Sequence, residues 1–306
     1  MNEQQKFEKR KQRTKIILIT VSVLFMIVML VLPLFSVITN SLNEGFKFYV
    51  DAISTDYVKS ALFVTILATL IAVIVNTFFG IMAAFLLTKF SFKGKQVLAT
   101  LIDIPFSISP VIVGLAFLMT FGRLGWTYPA IRAINSFFGT NIRIAFAIPG
   151  VILATIFVTF PFVFRELLPV LDSIGTDEEE AAALMGAKGW TIFSKITFPL
   201  MGASGFTIFR KITLPQMKWG LIYGIILCSA RALGEFGAVN ALSKTRGETF
   251  TLPLEIDALY MSGTSSSITA AFAVSSVLVL IAVIVLILRN IAWYRSQDKQ
   301  QGKDGR

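Results

Sequence analysis

Apolar residues dominate six long segments of the chain, and polar or charged residues are concentrated between them. Each segment is close to the roughly 20 residues that an α-helix needs to cross the hydrocarbon core of a bilayer. The pattern therefore predicts an all-α integral membrane protein with six transmembrane helices. The predicted spans are residues 16–38, 61–88, 97–121, 144–168, 219–239 and 268–291.

The composition supports a membrane protein and excludes several kinds of site. Of the 306 residues, 55% are hydrophobic, and the mean hydropathy is +0.74. The chain has no histidine, which excludes histidine metal sites, histidine proton relays and Ser-His-Asp triads. Cys228 is the single cysteine, so the chain can form neither an internal disulfide nor a thiolate cluster. We expect no metal site and no catalytic residues.

The basic residues lie mainly on one side of the predicted membrane. If the N-terminus is cytoplasmic, the cytoplasmic segments carry 20 of the 28 Lys and Arg residues, and the outer loops carry seven. This bias follows the positive-inside rule and predicts cytoplasmic termini. The net charge of +10 is then explained by basic cytoplasmic segments that face the anionic inner leaflet, and it does not indicate nucleic acid binding. The predicted organisation is a basic N-terminus (1–15), a transmembrane domain (16–291) and a cytoplasmic tail (292–306).

The longest predicted cytoplasmic segment, residues 172–217, combines a charged helix start, a glycine bend and a short amphipathic helix. Thr176 and Glu179 have the spacing of a capping box, and the neighbouring acidic residues favour the same helix N-terminus. Gly186 bends the chain, and apolar residues then recur on one face until Pro199. The pattern indicates a helix at the membrane surface. An ordinary solvated connector is the alternative.

The bend and the amphipathic helix occur twice in this segment. Residues 185–200 and 201–216 match at 11 of 16 positions without a gap, whereas the acidic start is not repeated. We expect the unrepeated residues 180–185 to keep their role. One copy of the amphipathic helix would be looped out or laid along the membrane, because surface loops tolerate insertions. An added regulatory contact and an error in the sequence are the alternatives.

The same segment resembles the EAA motif of ABC-importer permeases. Glu180-Ala181-Ala182 is followed after three residues by Gly186 and after nine more by ITFP (196–199). Phe198 stands where leucine is usual, and Leu214 restores the leucine in the second copy. In that family this loop is the coupling helix that docks into a groove on the cytoplasmic ATPase. The resemblance implies ATPase-coupling roles for Glu180, Ala181, Ala182, Gly186, Phe193, Ile196 and Pro199.

Four further stretches extend the resemblance over most of the chain. They are DIPFSISPVIVGL (103–115), TFPFVFRELLPVL (159–171), RALGEFGAV (231–239) and RGETFTLPLEI (246–256). They are similar to permease subunits of sulfate/thiosulfate importers of the CysW type. The resemblance implies a type I ABC importer permease (MetI-like) fold in the cytoplasmic membrane of a bacterium. It also implies three kinds of partner: a second permease subunit, two ATPase subunits and an external sulfate-binding protein.

The chain lacks a site for ATP of its own. No Gly-Lys pair fits the G-x-x-x-x-G-K-[ST] loop that cradles phosphates. ATP and Mg²⁺ are therefore expected on the partner ATPase, and this chain is expected to be a transport subunit without a cofactor. A molybdate or tungstate permease stays open, because RALGEFGAV is shared with those proteins. An ATP-independent anion channel is a further alternative, although it has no use for an EAA-like loop.

Polar side chains within two predicted spans are candidates for the substrate path. Arg231 and Glu235 lie one helical turn apart, and charges inside a membrane are costly and usually functional. Arg231 would attract a passing oxyanion and Glu235 would limit that attraction, or the two would form a structural ion pair. Prolines and hydroxyls also interrupt the third span, either as part of the path or as a kink against a partner. The candidate path residues are Asp103, Ser107, Ser109, Arg231 and Glu235.

Overall fold

The computed structural model describes residues 3–173 and 214–304, and all its regular elements in that part of the chain are helices. A π-helical turn, Ile27–Val31, joins the first two helices. In chain order the helices are α1 (Glu3–Met26), α2 (Leu32–Ser41), α3 (Phe46–Ile53), α4 (Asp56–Lys89), α5 (Lys95–Ser107), α6 (Pro110–Phe121), α7 (Tyr128–Phe138), α8 (Ile148–Ser173), α9 (Leu214–Leu233), α10 (Gly237–Leu242), α11 (Leu252–Met261) and α12 (Ser265–Asp304).

The all-α prediction is confirmed, and most of the predicted spans have a helical counterpart. Four helical segments are long and apolar enough to cross a membrane: Arg10–Ser41, Asp56–Lys89, Ile148–Asp172 and Ser265–Ile291. The pair α5 and α6 is bent by 107° at its break and makes a fifth candidate if it is counted as one span. The predicted span 219–239 is not one continuous helix, because it is divided between α9 and α10.

The centre of the fold is α8, which packs against α4 on one side and α9 on another. Glycines allow these close approaches. A Cβ atom at Gly80 of α4 would lie 3.0 Å from a Val163 side-chain carbon, and one at Gly224 of α9 would lie 3.0 Å from the Val163 Cα atom. Close van der Waals packing of this kind stabilises helix pairs in lipid, where the hydrophobic effect does not drive helices together.

Buried polar side chains join the same helices. Asn76 of α4 is fully buried, and its Nδ2 donates to Thr159 Oγ1 at 2.8 Å and to the Ile156 carbonyl at 3.2 Å. Thr65 Oγ1 of α4 accepts a hydrogen bond of 2.8 Å from the backbone N–H of Leu252, where α11 begins. Polar groups that lack water need such partners, so these bonds fix α8 and α11 on α4.

The N-terminal helical segment lies at the edge of this bundle. No residue in the most apolar part of Arg10–Ser41 is buried within the chain. Its described contact with the bundle is made by α2, which packs against α12. The long α1 therefore presents its apolar surface to the surroundings of this chain.

The seven predicted ATPase-coupling residues, Glu180 to Pro199, fall between 174 and 213 and lie outside the described residues. Their coupling role stays a prediction. Of the predicted outer loops, residues 122–143 contain the amphipathic helix α7, and residues 240–267 contain α11.

Candidate functional site

The first break in a predicted span separates α5 from α6. Ser107 ends α5, Ile108 is extended with φ −102° and ψ 136°, and Pro110 begins α6. A proline supplies no backbone N–H and favours an extended residue before it, so Ser109 takes φ −58° and ψ 132°. The interruption predicted from these residues is confirmed. Ser107 and Ser109 are both exposed on the surface of this chain.

The second break separates α9 from α10 and depends on a buried carboxylate. Glu235 lies between the two helices and its residue is 2% exposed. Its Oε1 accepts a hydrogen bond of 2.9 Å from the backbone N–H of Ala238, in the first turn of α10. A helix start leaves its first N–H groups without partners, and this carboxylate supplies one. The carboxylate thus stabilises the start of α10 at the point where the apolar segment 219–239 is divided.

Arg231 neutralises the same carboxylate. Its Nη1 lies 2.6 Å from Glu235 Oε2, and the two side chains are 32% and 1% exposed. The two oxygens of Glu235 therefore have different partners, one in the backbone of α10 and one in α9. A buried charge needs this degree of compensation. The predicted proximity of the two residues is confirmed as an ion pair, and the guanidinium keeps a partly open side.

The two breaks lie against each other. A Cβ atom at Gly237, the first residue of α10, would lie 3.0 Å from Pro110 Cβ at the start of α6. A Cβ atom at Gly114, one turn further along α6, would lie 2.4 Å from the carbonyl oxygen of Ala238. Glycine at both positions lets the two helix starts touch. The structure thus brings the Ser107–Pro110 break close to the helix break that Glu235 supports.

Asp103 has a different partner from the other path candidates. Its Oδ1 accepts a hydrogen bond of 2.8 Å from Arg165 Nε, which joins α5 to α8. The Arg165 guanidinium also lies over the Phe106 ring, 4.6 Å from its centre. The sequence analysis did not predict this pair. The available signal was an arginine inside the predicted span 144–168.

A second buried carboxylate, also missed by sequence reasoning, closes the loop before α11. Glu255 is 1% exposed, and Arg246 Nε lies 2.9 and 3.0 Å from its two oxygens while Arg246 Nη2 lies 2.5 Å from Oε1. The guanidinium also covers the Tyr57 ring at 4.7 Å. These hydrogen bonds to Glu255 raise the pKa of Arg246 above its ordinary value. The signal in the sequence was an acidic residue inside the apolar stretch LPLEI (252–256).

No group of three or more Cys, Asp and Glu side chains that could hold a metal ion occurs within residues 3–173 and 214–304. Some of the described charged groups form ion pairs. Three of these pairs link an arginine to a carboxylate at a helix end or within a span: Arg165 with Asp103, Arg231 with Glu235, and Arg246 with Glu255.

Known proteins resemble this chain over nearly its whole length. The family model for binding-protein-dependent transport system inner membrane components matches residues 76–201. The sulfate transport system permease protein CysW of Escherichia coli (strain K12) is 39% identical over 286 residues, which cover 93% of this chain and 89% of that protein. The CysT protein of the same strain, also a sulfate transport system permease, is 30% identical and is aligned over 71% of each chain.

A solved structure shows the same fold. A chain of the bacterial alginate ABC transporter, in complex with a periplasmic protein bound to an alginate pentasaccharide, superposes with a TM-score of 0.68. The match covers 95% of this chain and 96% of that one at 18% identity, so it establishes the fold alone. On the strength of the sequence match that spans its length, this chain belongs to the CysW family of binding-protein-dependent inner membrane transport components.

Proposed function

We propose that this chain is one permease subunit of an ATP-driven ABC importer that carries sulfate into a bacterial cell. The observation that carries the proposal is the 39% sequence identity between this chain and E. coli CysW, which extends over 93% of this chain. Thiosulfate is a second substrate of the same chemical class. The chain is a transport subunit rather than an enzyme, and a separate ATPase binds ATP and Mg²⁺.

The meeting of two helix breaks supports a transport path between α6 and α10. Interrupted helices leave backbone groups that only protein or a water-filled cavity can satisfy. Ser107 ends a helix of 13 residues, about 20 Å from the Lys95 end at 1.5 Å per residue, so a helix that enters the bilayer from Lys95 would place the break inside it. Hydroxyls at Ser107 and Ser109 are exposed there and can donate to an oxyanion.

The Arg231–Glu235 pair supplies the charge beside this path. Glu235 is fixed by Ala238 N–H and by Arg231, so it holds the break and cancels most of the positive charge. Arg231 is about one third exposed and keeps N–H donors for an oxyanion. A nearly neutral pair attracts an anion weakly enough to release it, which a transport path requires. The Asp103–Arg165 pair fastens α5 to α8, and a contact of Asp103 with substrate stays a prediction.

The remaining assembly follows the family pattern. We propose six transmembrane spans, with α9 and α10 completing the fifth, and both termini in the cytoplasm. A CysT-type permease, two ATPases and an external sulfate-binding protein would complete the transporter. The CysT and CysW relatives in one E. coli strain support two different permease chains. Residues 180–199 would couple ATP hydrolysis to alternating access of the path.

Uptake of labelled sulfate tests this function. Cells that lack their own sulfate permease would express this chain with its partner subunits, and uptake would be measured with and without excess unlabelled molybdate. We expect sulfate uptake that molybdate does not compete with. Uptake that molybdate abolishes would identify a molybdate or tungstate permease instead.

A charge reversal in the coupling segment separates an importer from a channel. We expect Glu180→Lys to abolish uptake, because Glu180 would pair with a basic residue on the ATPase. The matched control is Glu178→Lys, which makes the same charge change two residues earlier. Flux that survives Glu180→Lys would indicate an ATP-independent anion channel. A variant without residues 185–200 reports whether the repeated segment affects assembly.

A further inference from the structure

A cavity of about 990 Å³ opens between the end of α6, helix α7 and the segment that leads into α8. Three arginines line it, Arg123, Arg132 and Arg143, together with one acidic residue, Glu248. The lining therefore carries a net charge of +2. In the proposed orientation this cavity faces the outside of the cell, on the opposite side from the coupling loop.

One wall of the cavity is a turn after α7 that side-chain hydrogen bonds of Asn135 hold in place. Asn135 of α7 donates from Nδ2 to the Ile142 carbonyl at 3.0 Å, and its Oδ1 accepts from Ile142 N–H at 2.9 Å. The same oxygen accepts from the Thr140 hydroxyl at 3.0 Å. Phe146, also in the lining, has φ +59°, a left-handed conformation that is rare for an aromatic residue. These features fix the segment that carries Arg143.

The three arginines have no carboxylate partner among the described residues, although other arginines do. Arg165, Arg231 and Arg246 each form an ion pair within 4.0 Å, whereas Arg123, Arg132 and Arg143 form none in residues 3–173 and 214–304. All three are exposed. Exposed basic residues are depleted on the outer side of membrane proteins. Three arginines in one outer cavity are therefore unusual and indicate that an external anion binds there.

We propose that this cavity is an outer anion site that holds a small dianionic tetrahedral oxyanion, sulfate in this transporter, before it enters the path. The choice of sulfate and the outward direction rest on the proposed function. Guanidinium groups present paired N–H donors that match two oxygens of an oxyanion. Tyr128 and Asn141 add neutral donors to the lining.

The exposure of the three arginines to solvent sets the affinity of the site for an anion. A concave surface lined by one sign of charge raises the local concentration of counter-ions. Because the arginines are exposed, salt screens their field, and binding is weak and sensitive to ionic strength. A weak site suits a step in which sulfate is received and then passed on. Release of the anion does not require the arginines to move away.

Arginine modification in the assembled transporter tests the site directly. The whole permease–ATPase complex, in lipid nanodiscs and without binding protein, would react with phenylglyoxal, and mass spectrometry would give the rate at each arginine. Potassium sulfate would be compared with potassium chloride at equal ionic strength. We expect sulfate to slow modification of Arg123, Arg132 and Arg143 by on the order of tenfold. Arg246, which already pairs with Glu255, should change little.

Two variants of equal charge change give the control. Arg132→Gln removes one cavity arginine, and we expect it to weaken the protection of Arg123 and Arg143 by sulfate. Lys244→Gln removes one positive charge on the same side but outside the cavity lining, and it should leave the protection unchanged. Equal protection by chloride and sulfate would overturn the site, because only a general field would then be present.

Two further outcomes distinguish an anion site from a protein-docking surface, and a failed anion site from a failed transport function. If Arg132→Gln leaves sulfate protection unchanged but weakens the binding of the external protein, the cavity is an acidic-protein docking surface and the anion site is wrong. If sulfate protects the arginines but no sulfate uptake occurs in cells, the proposed function fails while the anion site stands. If sulfate uptake occurs but sulfate does not protect the arginines, the anion site is wrong while the proposed function stands.

Discussion

The carbonyl oxygen of Ala238 lies only 2.4 Å from the position that a Cβ atom of residue 114 would take. Glycine at 114 is therefore required for α6 to touch the start of α10. Because the same contact region holds both helix breaks, its geometry sets how the Ser107–Pro110 break is placed relative to Glu235. The contact between α6 and α10 therefore requires a residue without a Cβ atom at position 114.

Gly114→Ala should separate the two breaks. The added methyl meets a backbone atom, which has no rotamer to escape by, so we expect a destabilisation of about 1–3 kcal/mol. Sulfate uptake should fall more than the amount of assembled protein does. Thermal unfolding of the purified complex and uptake per assembled transporter measure the two effects. Gly234→Ala is the control, because its Cβ atom would meet nothing closer than an oxygen at 4.0 Å.

Neutralising the Arg231–Glu235 pair distinguishes a structural pair from a path residue. Glu235→Gln leaves Arg231 without its charge partner, and we expect it to destabilise the complex by about 3 kcal/mol. The double variant Arg231→Gln, Glu235→Gln removes both charges and should recover most of that stability. We expect its sulfate uptake to stay low, because the oxyanion has lost Arg231.

Thermal unfolding and uptake of the single variants Arg231→Gln and Glu235→Gln and of the double variant complete this comparison. Recovery of both stability and uptake in the double variant would show that the pair is structural only. In that case Arg231 has no contact with the transported anion, and Ser107 and Ser109 become the candidate donors.

Asp103→Asn should have a small effect. Asp103 and Arg165 are 37% and 52% exposed on the surface of this chain, so neither charge is buried by its own chain, and we expect the pair to contribute on the order of 0.5 kcal/mol. We expect an unchanged KM for sulfate uptake and a slightly lower unfolding temperature. A large rise in KM would instead place Asp103 on the substrate path. Arg165→Gln removes the other partner and should give the same small loss.

Hydropathy predicted four of the six spans as continuous helices that are long and apolar enough to cross a membrane, because the bilayer itself sets their length and composition. The break at Ser107–Pro110 was also predictable, since Pro105 and Pro110 act locally on their own backbone. The division of residues 219–239 was not, because it needs the Glu235 carboxylate to bond Ala238 N–H and Gly237 to meet Pro110, more than a hundred residues earlier.

Partners of charged residues were equally hard to predict. Arg165 and Asp103 are separated by 62 positions, and only the packing of α5 on α8 brings them together. Arg231 and Glu235 are four positions apart, so their proximity could be expected from the sequence, although Glu235 lies just beyond the end of α9. The outer cavity depends on three segments at once, and no periodicity marks its arginines as neighbours.

Glu255→Gln should loosen the loop that precedes α11. The change leaves Arg246 with a neutral partner, and we expect a loss of about 1–2 kcal/mol after allowance for the exposure of the arginine. Because the pKa of Arg246 is raised, its charge contributes stability at all pH values below the ordinary arginine pKa and is lost only above the raised value. The difference in unfolding temperature between the variant and the natural chain should therefore be the same at pH 7 and pH 10. A difference that disappears by pH 10 would contradict this pairing.

Asn135→Ala should weaken the outer anion site without changing its charge. The variant loses the three side-chain hydrogen bonds that hold residues 140–142, so Arg143 is no longer fixed beside the cavity. We expect sulfate protection of Arg143 against phenylglyoxal to fall about threefold, the effect of losing one hydrogen-bonded placement. Arg123, at the end of α6, should lose less.

Ser136→Ala is the control for this change, because it lies next to Asn135 on α7, is exposed and has no described hydrogen bond to the turn. Protection of Arg143 should be unchanged in that variant. If Asn135→Ala also leaves the protection unchanged, the turn does not position Arg143, and the field of the three charges alone accounts for sulfate at this surface. A larger loss at Arg143 than at Arg123 requires a site with fixed geometry, since a general field would weaken both equally.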